Sequence, residues 1–150
     1  MKIEEILLQL KSEVLAQYEA KGLKASGNFA RKFEVIKKSD THYQVLAPYY
    51  VYTFEHGRKP GKVPQGFASI IYKWSEDKGI SFANDKQRSR FAYAVAKKIS
   101  KFGTSQYLNN TNKGQIYTPA INKAIDEIQE QFKDELMTKV NTIFKEWNKL

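Results

Sequence analysis

The sequence predicts an α+β fold: amphipathic helices around a small antiparallel sheet, closed by a long C-terminal helix. Three patterns predict it. Apolar residues recur at three-and-four spacing near both ends of the chain, Ile3, Ile6, Leu7, Leu10, Val14 and Tyr18 at one and Ile121, Ile125, Ile128, Phe132, Leu136, Val140, Ile143 and Trp147 at the other. That is the pattern of helices with one apolar face. Between Phe29 and Ala47 the alternation moves toward period two around a polar Ser39-Asp40-Thr41 turn, as in a β-hairpin. Finally, the stretch from Ala47 to Gly79 combines an aromatic run with three of the four prolines, which places a rigid loop at the centre of the chain.

The first helix begins near Ile3 and stops at Gly22, and small polar residues from Lys24 to Asn28 form a connector. Two strands follow, over Phe29–Ser39 and Tyr43–Ala47. Tyr49, Tyr50, Val51, Tyr52 and Phe54 then make an aromatic segment that ends at Gly57. In Arg58 to Pro64, Pro60 and Pro64 fix φ and Gly61 admits conformations closed to other residues, so a stiff cationic loop is expected. Phe67, Ile70, Ile71 and Trp74 fall at helical spacing, and Lys78-Gly79 has the form of a helix end. Asn84 or Asp85 caps the next helix, whose core face is expected to hold the Arg88 stem, Phe91, Val95, Ile99 and Phe102 and whose end is Gly103. Ala92, Ala94 and Ala96 make its other faces narrow and predict close packing. Thr104 to Gln115 is rich in Asn and Thr and aperiodic, an expected loop and a candidate assembly arm. Thr118 caps and Pro119 enters the first turn of the final helix, where a missing N–H costs nothing. That helix is about 45 Å long at about 1.5 Å per residue, more than one small domain covers, so part of its stripe is expected to meet another subunit. Phe132, Leu136, Val140, Ile143 and Trp147 are the assembly candidates.

The 150 residues are expected to form a single domain, with 41% apolar and 13% aromatic residues arguing for a folded core. No cysteine is present, which excludes disulfides and thiolate metal sites. Glu4, Glu5 and Glu13 interrupt the first apolar pattern, which suits neither a signal peptide nor a membrane span, so a soluble protein with no membrane partner is expected. The net charge of +9 is not spread evenly: residues 57–113 hold twelve Lys and Arg against three Asp and Glu. Such a local excess sets up a positive field toward phosphate or an acidic protein surface, or serves as a solvated face. Arg58, Lys59, Lys62, Lys97, Lys98 and Lys101 are the interface candidates.

Catalytic chemistry is hard to assemble from this chain. His42 and His56 are the only histidines and have no metal-ligand spacing. Glu55-His56 can be drawn as an acid/base pair, but neighbours in regular structure point apart. Gly57-Arg58-Lys59-Pro60-Gly61-Lys62 has three residues between its glycines where a phosphate loop needs four, and Val63 stands where Ser or Thr is required. Asp126, Glu127, Glu130, Asp134 and Glu135 lie on polar faces of the last helix. No enzyme, metal or cofactor is therefore expected.

The ordered set Tyr49-Tyr50-x-Tyr52-x-x-Glu55-x-Gly57-Arg58-x-Pro60-Gly61, Pro64, Ile70 to Trp74, Lys78-Gly79-Ile80, Phe91-Ala92-Tyr93-Ala94-Val95-Ala96-Lys97-Lys98-Ile99 and Phe102-Gly103-Thr104 resembles the tail-completion or head–tail joining (neck, connector) proteins of tailed bacteriophages. Tyr117-Thr118-Pro119-Ala120 matches the start of that pattern's long closing helix more loosely. The resemblance covers about residues 43 to 125; Leu108 to Gln115 departs from it, being longer and richer in Asn. It implies an α+β fold with a small, mainly antiparallel sheet between helices. It also implies a virion protein of the neck or tail, made in the host cytoplasm, assembling as a homo-oligomeric ring of six or twelve copies. Its partners would be the portal or adjacent connector ring and tail proteins, with packaged double-stranded DNA in the lumen. The alternative is a basic nucleic-acid-binding module, in which Arg58, Lys59 and Lys62 hold phosphates while Tyr49, Tyr50 and Tyr52 stack bases.

Overall fold

The computed structural model describes residues 3–111 and 113–147, and its architecture is α+β. The elements are α1 (Ile3–Ala20), α2 (Asn28–Lys32), β1 (Glu34–Ser39), β2 (His42–Leu46), α3 (Val51–His56), α4 (Phe67–Asp77), α5 (Asp85–Phe102), α6 (Ser105–Asn109) and α7 (Thr118–Trp147). None of the described helices is long and apolar enough to cross a membrane.

Helix α1 buries the six residues that its spacing marks, Ile3, Ile6, Leu7, Leu10, Val14 and Tyr18. It ends in a Schellman turn: the Leu23 N–H donates to the Tyr18 carbonyl at 3.1 Å and the Gly22 N–H to Glu19 at 2.9 Å, which requires the left-handed φ of 66° that Gly22 adopts. The main core forms where this face meets Phe29, Phe33, Ala120 and Ala124. Its centre is aromatic, with Tyr18, Phe29 and Phe54 rings at centroid distances of 4.8 to 5.0 Å, a range in which tilted and edge-on pairs add to simple burial.

The hairpin is antiparallel, with Val35 opposite Val45 and Lys37 opposite Tyr43, but it is shorter than expected at both ends. Phe29 lies in α2 and not in a strand, because Phe29 and Phe33 are four residues apart and both enter the same core, at 1% and 4% exposure. Ala47 lies beyond β2. The sheet is not sandwiched either: Val35 and Tyr43 pack on the core, whereas Val45 and Leu46 stay exposed. The aromatic segment resolves into helix α3, where Tyr50 at its cap and Phe54, again four apart, meet edge-on at 5.7 Å beside Phe29, leaving Tyr49 and Tyr52 outside.

Helices α4 and α5 form a second cluster around Ile71, Ala92 and Ala96. Asn84 caps α5 by accepting from the Gln87 N–H at 2.9 Å, and the Gln87 side chain accepts in return from the Ala83 N–H at 3.0 Å. Here the expected core face is corrected. The alanines are the fully buried residues, while Phe91, Val95 and Ile99 only flank them and Phe102 is exposed. Small residues win the interior position because they let the two helix backbones approach. Arg88 holds its guanidinium over Tyr72 and Phe82 at 5.5 and 5.3 Å, and its Nε is buried, so the packing takes in more than the expected stem. The expected loop after Gly103 contains α6, whose start is capped by the Thr104 hydroxyl.

Because Ala96 is buried between α4 and α5, Ala96→Leu is expected to lower stability by roughly 1 to 3 kcal/mol through overpacking. Ala94→Leu, on the exposed side, should leave the denaturation midpoint unchanged. Urea titration of both variants checks this pair.

Candidate functional site

The site is built around the end of α3. Packing of Tyr50 and Phe54 on the aromatic core turns the next residue, Glu55, inward, and its carboxylate has no exposed surface. Burial of a lone charge is costly, so its oxygens must be satisfied, and they are. Glu55 Oε1 accepts from the backbone N–H groups of Ile116, Tyr117 and Thr118 at 2.9, 2.6 and 2.7 Å. Oε2 accepts from the Thr118 hydroxyl at 2.7 Å. The donors are the entry to α7, so a carboxylate from a distant helix does the capping expected of Thr118, and its charge lies at the positive end of the helix dipole. Burial on its own would raise the Glu55 pKa; the bonds from Thr118, Tyr117 and Ile116 outweigh it and hold the carboxyl below its ordinary value. The Tyr117 phenol is raised, by burial first and by the Glu55 charge second.

His56, next along, is 4.0 Å from the Glu55 carboxylate, too far for a hydrogen bond. It stacks on Tyr52 at 4.1 Å between ring centroids and lies 3.2 Å from the Tyr117 hydroxyl. The acid/base drawing of Glu55 and His56 therefore has no geometric basis: the carboxylate is engaged by α7 and the ring by tyrosines.

Gly57 then turns the chain with φ 66° and ψ −170°, a region in practice open to glycine alone. A Cβ there would come within 2.5 Å of the Tyr107 nitrogen. Gly103 adopts a similar φ of 81° and ψ of −177°, and its Cβ would meet the Arg58 carbonyl at 2.6 Å. Between these two glycines the backbones cross and bond: Thr104 N–H donates to the Arg58 carbonyl, and Arg58 N–H to the Thr104 hydroxyl, both at 2.9 Å. Gly61 N–H donates to the Ser100 carbonyl at 2.9 Å and the Ser100 hydroxyl to the Gly61 carbonyl at 3.2 Å. The cationic loop is thus fastened along the last turn of α5. Its Arg58 guanidinium donates to the Lys62 carbonyl at 2.9 Å and lies over Phe67 at 5.4 Å.

The result is an open cleft of about 520 Å³ lined by Tyr52, His56, Arg58, Lys59, Lys62, Tyr107, Asn110 and Lys113 among others, with four cations and no carboxylate. Three of the six basic candidates, Arg58, Lys59 and Lys62, come together there. Lys97, Lys98 and Lys101 do not line it; they are exposed on α5 beside the loop's attachment point. Lys113 and Tyr107 join the cleft without having been marked by the sequence, because the loop that carries them shows no periodicity to place it, and His56, weighed there as an acid/base partner, joins it as a wall. The capping role of Glu55, which the sequence offers only as half of an acid/base pair and as part of the ordered motif, is not foreseen, since nothing local signals that a carboxylate will cap a helix about 60 residues on. The assembly candidates Phe132, Leu136, Ile143 and Trp147 are exposed and Val140 is half-buried. Among the described residues no group of three His, Asp or Glu side chains is placed to hold a metal.

Comparison with models of known families, with curated proteins and with solved structures returned no match.

Two outcomes follow from this geometry. Glu55→Gln is expected to destabilise the fold by about 2 kcal/mol, since the bonds lose their charge even where the amide oxygen takes the three backbone N–H groups and the N–H₂ turns to the Thr118 hydroxyl. Because the folded carboxyl titrates below its ordinary value of 4.5, the unfolded chain binds more protons in the window just below 4.5. The Glu55 contribution is therefore complete above that pH and is lost as pH falls through the folded value. Melting curves from pH 7 down to pH 3 should show this loss in the wild type, and a shallower decline in Glu55→Gln. Gly57→Ala, which combines a disfavoured backbone region with a backbone clash, should cost at least about 2 kcal/mol, measurable by the same denaturation experiment.

Proposed function

We propose that this protein is a structural subunit of the head–tail connector of a tailed bacteriophage, forming a ring around the DNA path and joining head to tail without catalysis. The observation that carries the reading is the surface of α7. Ala120 and Ala124 face α1, whereas the apolar stripe through Ile121, Ile125, Phe132, Leu136, Ile143 and Trp147 is turned about a third of a turn away from it and is exposed, Leu136 by 62% and Trp147 by 67%. A continuous apolar row of this length on a folded chain calls for a protein partner. A ring supplies one, because each subunit offers one surface and receives another. The ordered motif resemblance supplies the biological setting, and the Glu55 cap gives a physical role to the acid-glycine and Tyr-Thr-Pro parts of that pattern.

In this reading the cationic cleft meets an acidic surface of the adjoining ring or the phosphates of packaged DNA. A fastened loop favours the protein partner, since ordering it in advance lowers the cost of docking. One observation favours the second reading, a basic nucleic-acid-binding module: Tyr52, His56 and Tyr107 stand beside four cations in one cleft, a combination that suits stacked bases and a phosphate backbone.

Mass photometry of the purified protein tests the ring, and a discrete oligomer of fixed stoichiometry without nucleic acid is the expected result. Leu136→Glu with Ile143→Glu, both on exposed positions, should leave the helical circular dichroism and melting temperature nearly unchanged while shifting the population to monomer. Lys59→Glu with Lys62→Glu should leave the oligomer intact and block the joining of filled heads to tails in particles carrying it. Normal joining would return these cations to a solvated face.

A further inference from the structure

Resting on the ring reading, the geometry points to a specific subunit contact: helix α7 of one copy lies along helix α5 of the next, acidic row against basic row. The basic row is read from α5. Its buried side, Ala92 and Ala96, faces α4. The opposite side carries Lys86, Arg90, Lys97 and Lys101, all exposed, with Tyr93 at 64% exposure and Ala94 between them. Positions 86, 90, 94, 97 and 101 advance by three or four, so at about 100° per residue they form one line roughly 22 Å long. Among the described residues none of these four cations makes a salt bridge, although acids occur on the same helix pair and are paired elsewhere, as Glu76 is with Arg88.

The acidic row is read from α7. Asp126, Glu130 and Asp134 are four apart, exposed, and also without a salt bridge among the described residues. On their own side of the helix the row runs on into Met137 and Phe144, both more than half exposed, while the stripe through Phe132 and Leu136 lies more than a quarter of a turn away. The two faces are complementary in charge. Each also offers apolar area: Tyr93 on one side, Met137 and Phe144 on the other. A second copy is the occupant that this complementarity selects. Two α7 helices paired side by side in parallel would set like charges against each other. Opposite rows on different helices instead make a head-to-tail contact, the kind that closes into a ring. Charge rows of this sort fix register and exclude wrong pairings, while the exposed apolar side chains beside them, Tyr93, Met137 and Phe144, add affinity.

The contact predicts a mixing experiment on the full chain, read by mass photometry, with circular dichroism confirming the fold of each variant. Lys97→Glu/Lys101→Glu alone and Glu130→Lys/Asp134→Lys alone should each weaken assembly roughly tenfold or more, since like charges then meet at every contact. An equal mixture of the two should recover oligomers with an even number of subunits. In an alternating ring every contact again joins an acidic row to a basic one. The quadruple variant should assemble by itself. If the α5 variant assembles like the wild type, this contact is overturned, and the ring reading stands with a different interface. The same holds if the mixture and the quadruple variant both fail to recover while the wild type assembles. A wild-type chain that stays monomeric at all concentrations overturns the ring reading and this contact together.

Discussion

The buried Glu55 carboxylate is the constraint on which the rest of the arrangement depends. Its four accepted bonds connect the end of α3 to the start of α7, two elements that the chain separates by the whole α4–α5 pair. Without that carboxylate the first N–H groups of α7 would be buried and unpaired, which costs more than any single apolar contact nearby contributes. The interaction fixes the direction in which a 30-residue helix leaves the core. Because the helix is rigid, orientation set at its first turn is carried to Trp147, and with it the face that the apolar stripe presents.

From the same residue the cationic cleft takes its position. Glu55 immobilises the backbone just before Gly57, and the Gly57 and Gly103 crossings bring Arg58 and Thr104 into backbone contact. Lys59 and Lys62 are then held on a loop bonded to Ser100, while Glu55, the nearest acid in sequence, has its charge turned inward and satisfied by α7. The cleft is electropositive because the one carboxylate close enough to neutralise it is occupied elsewhere. Structure and surface potential thus trace to one packing choice, the inward rotation of α3 driven by Tyr50 and Phe54.

Helix periodicity made much of the fold legible in the sequence. The six buried residues of α1, the Gly22 and Gly79 helix ends and the Asn84 cap all follow from local rules, since each depends on residues within a turn of one another. Phe29 and the aromatic segment did not, because helix and strand patterns are indistinguishable over five or six residues, and the decision was made by the distant Tyr18 ring. The Phe102 expectation failed for a related reason: a helix with both alanine and bulky apolar faces has two candidate interiors, and only the partner helix selects between them. The basic segment was visible as composition, yet composition does not say which cations converge. Arg58, Lys59 and Lys62 share a cleft with Lys113 because two glycines let strands of backbone cross, an event encoded at positions 57 and 103 but meaningful only when both are seen together.

The segment between Thr104 and Ile116 is held at both ends and through α6: Thr104 is bonded to Arg58 at its start, the Gln106 side chain to the Phe54 carbonyl within α6, and Ile116 to Glu55 at its end. Its two anchor points belong to the core whatever the segment contains. Lengthening a loop between fixed ends costs little, about 0.6 kcal/mol for each doubling, so the part after α6 is free to diverge in length and chemistry while the scaffold keeps its shape. Since that part supplies Asn110 and Lys113 to one wall of the cleft, variation there would retune what the cleft accepts with little effect on stability. The Asn-rich loop is in that sense an adjustable jaw facing a fixed one.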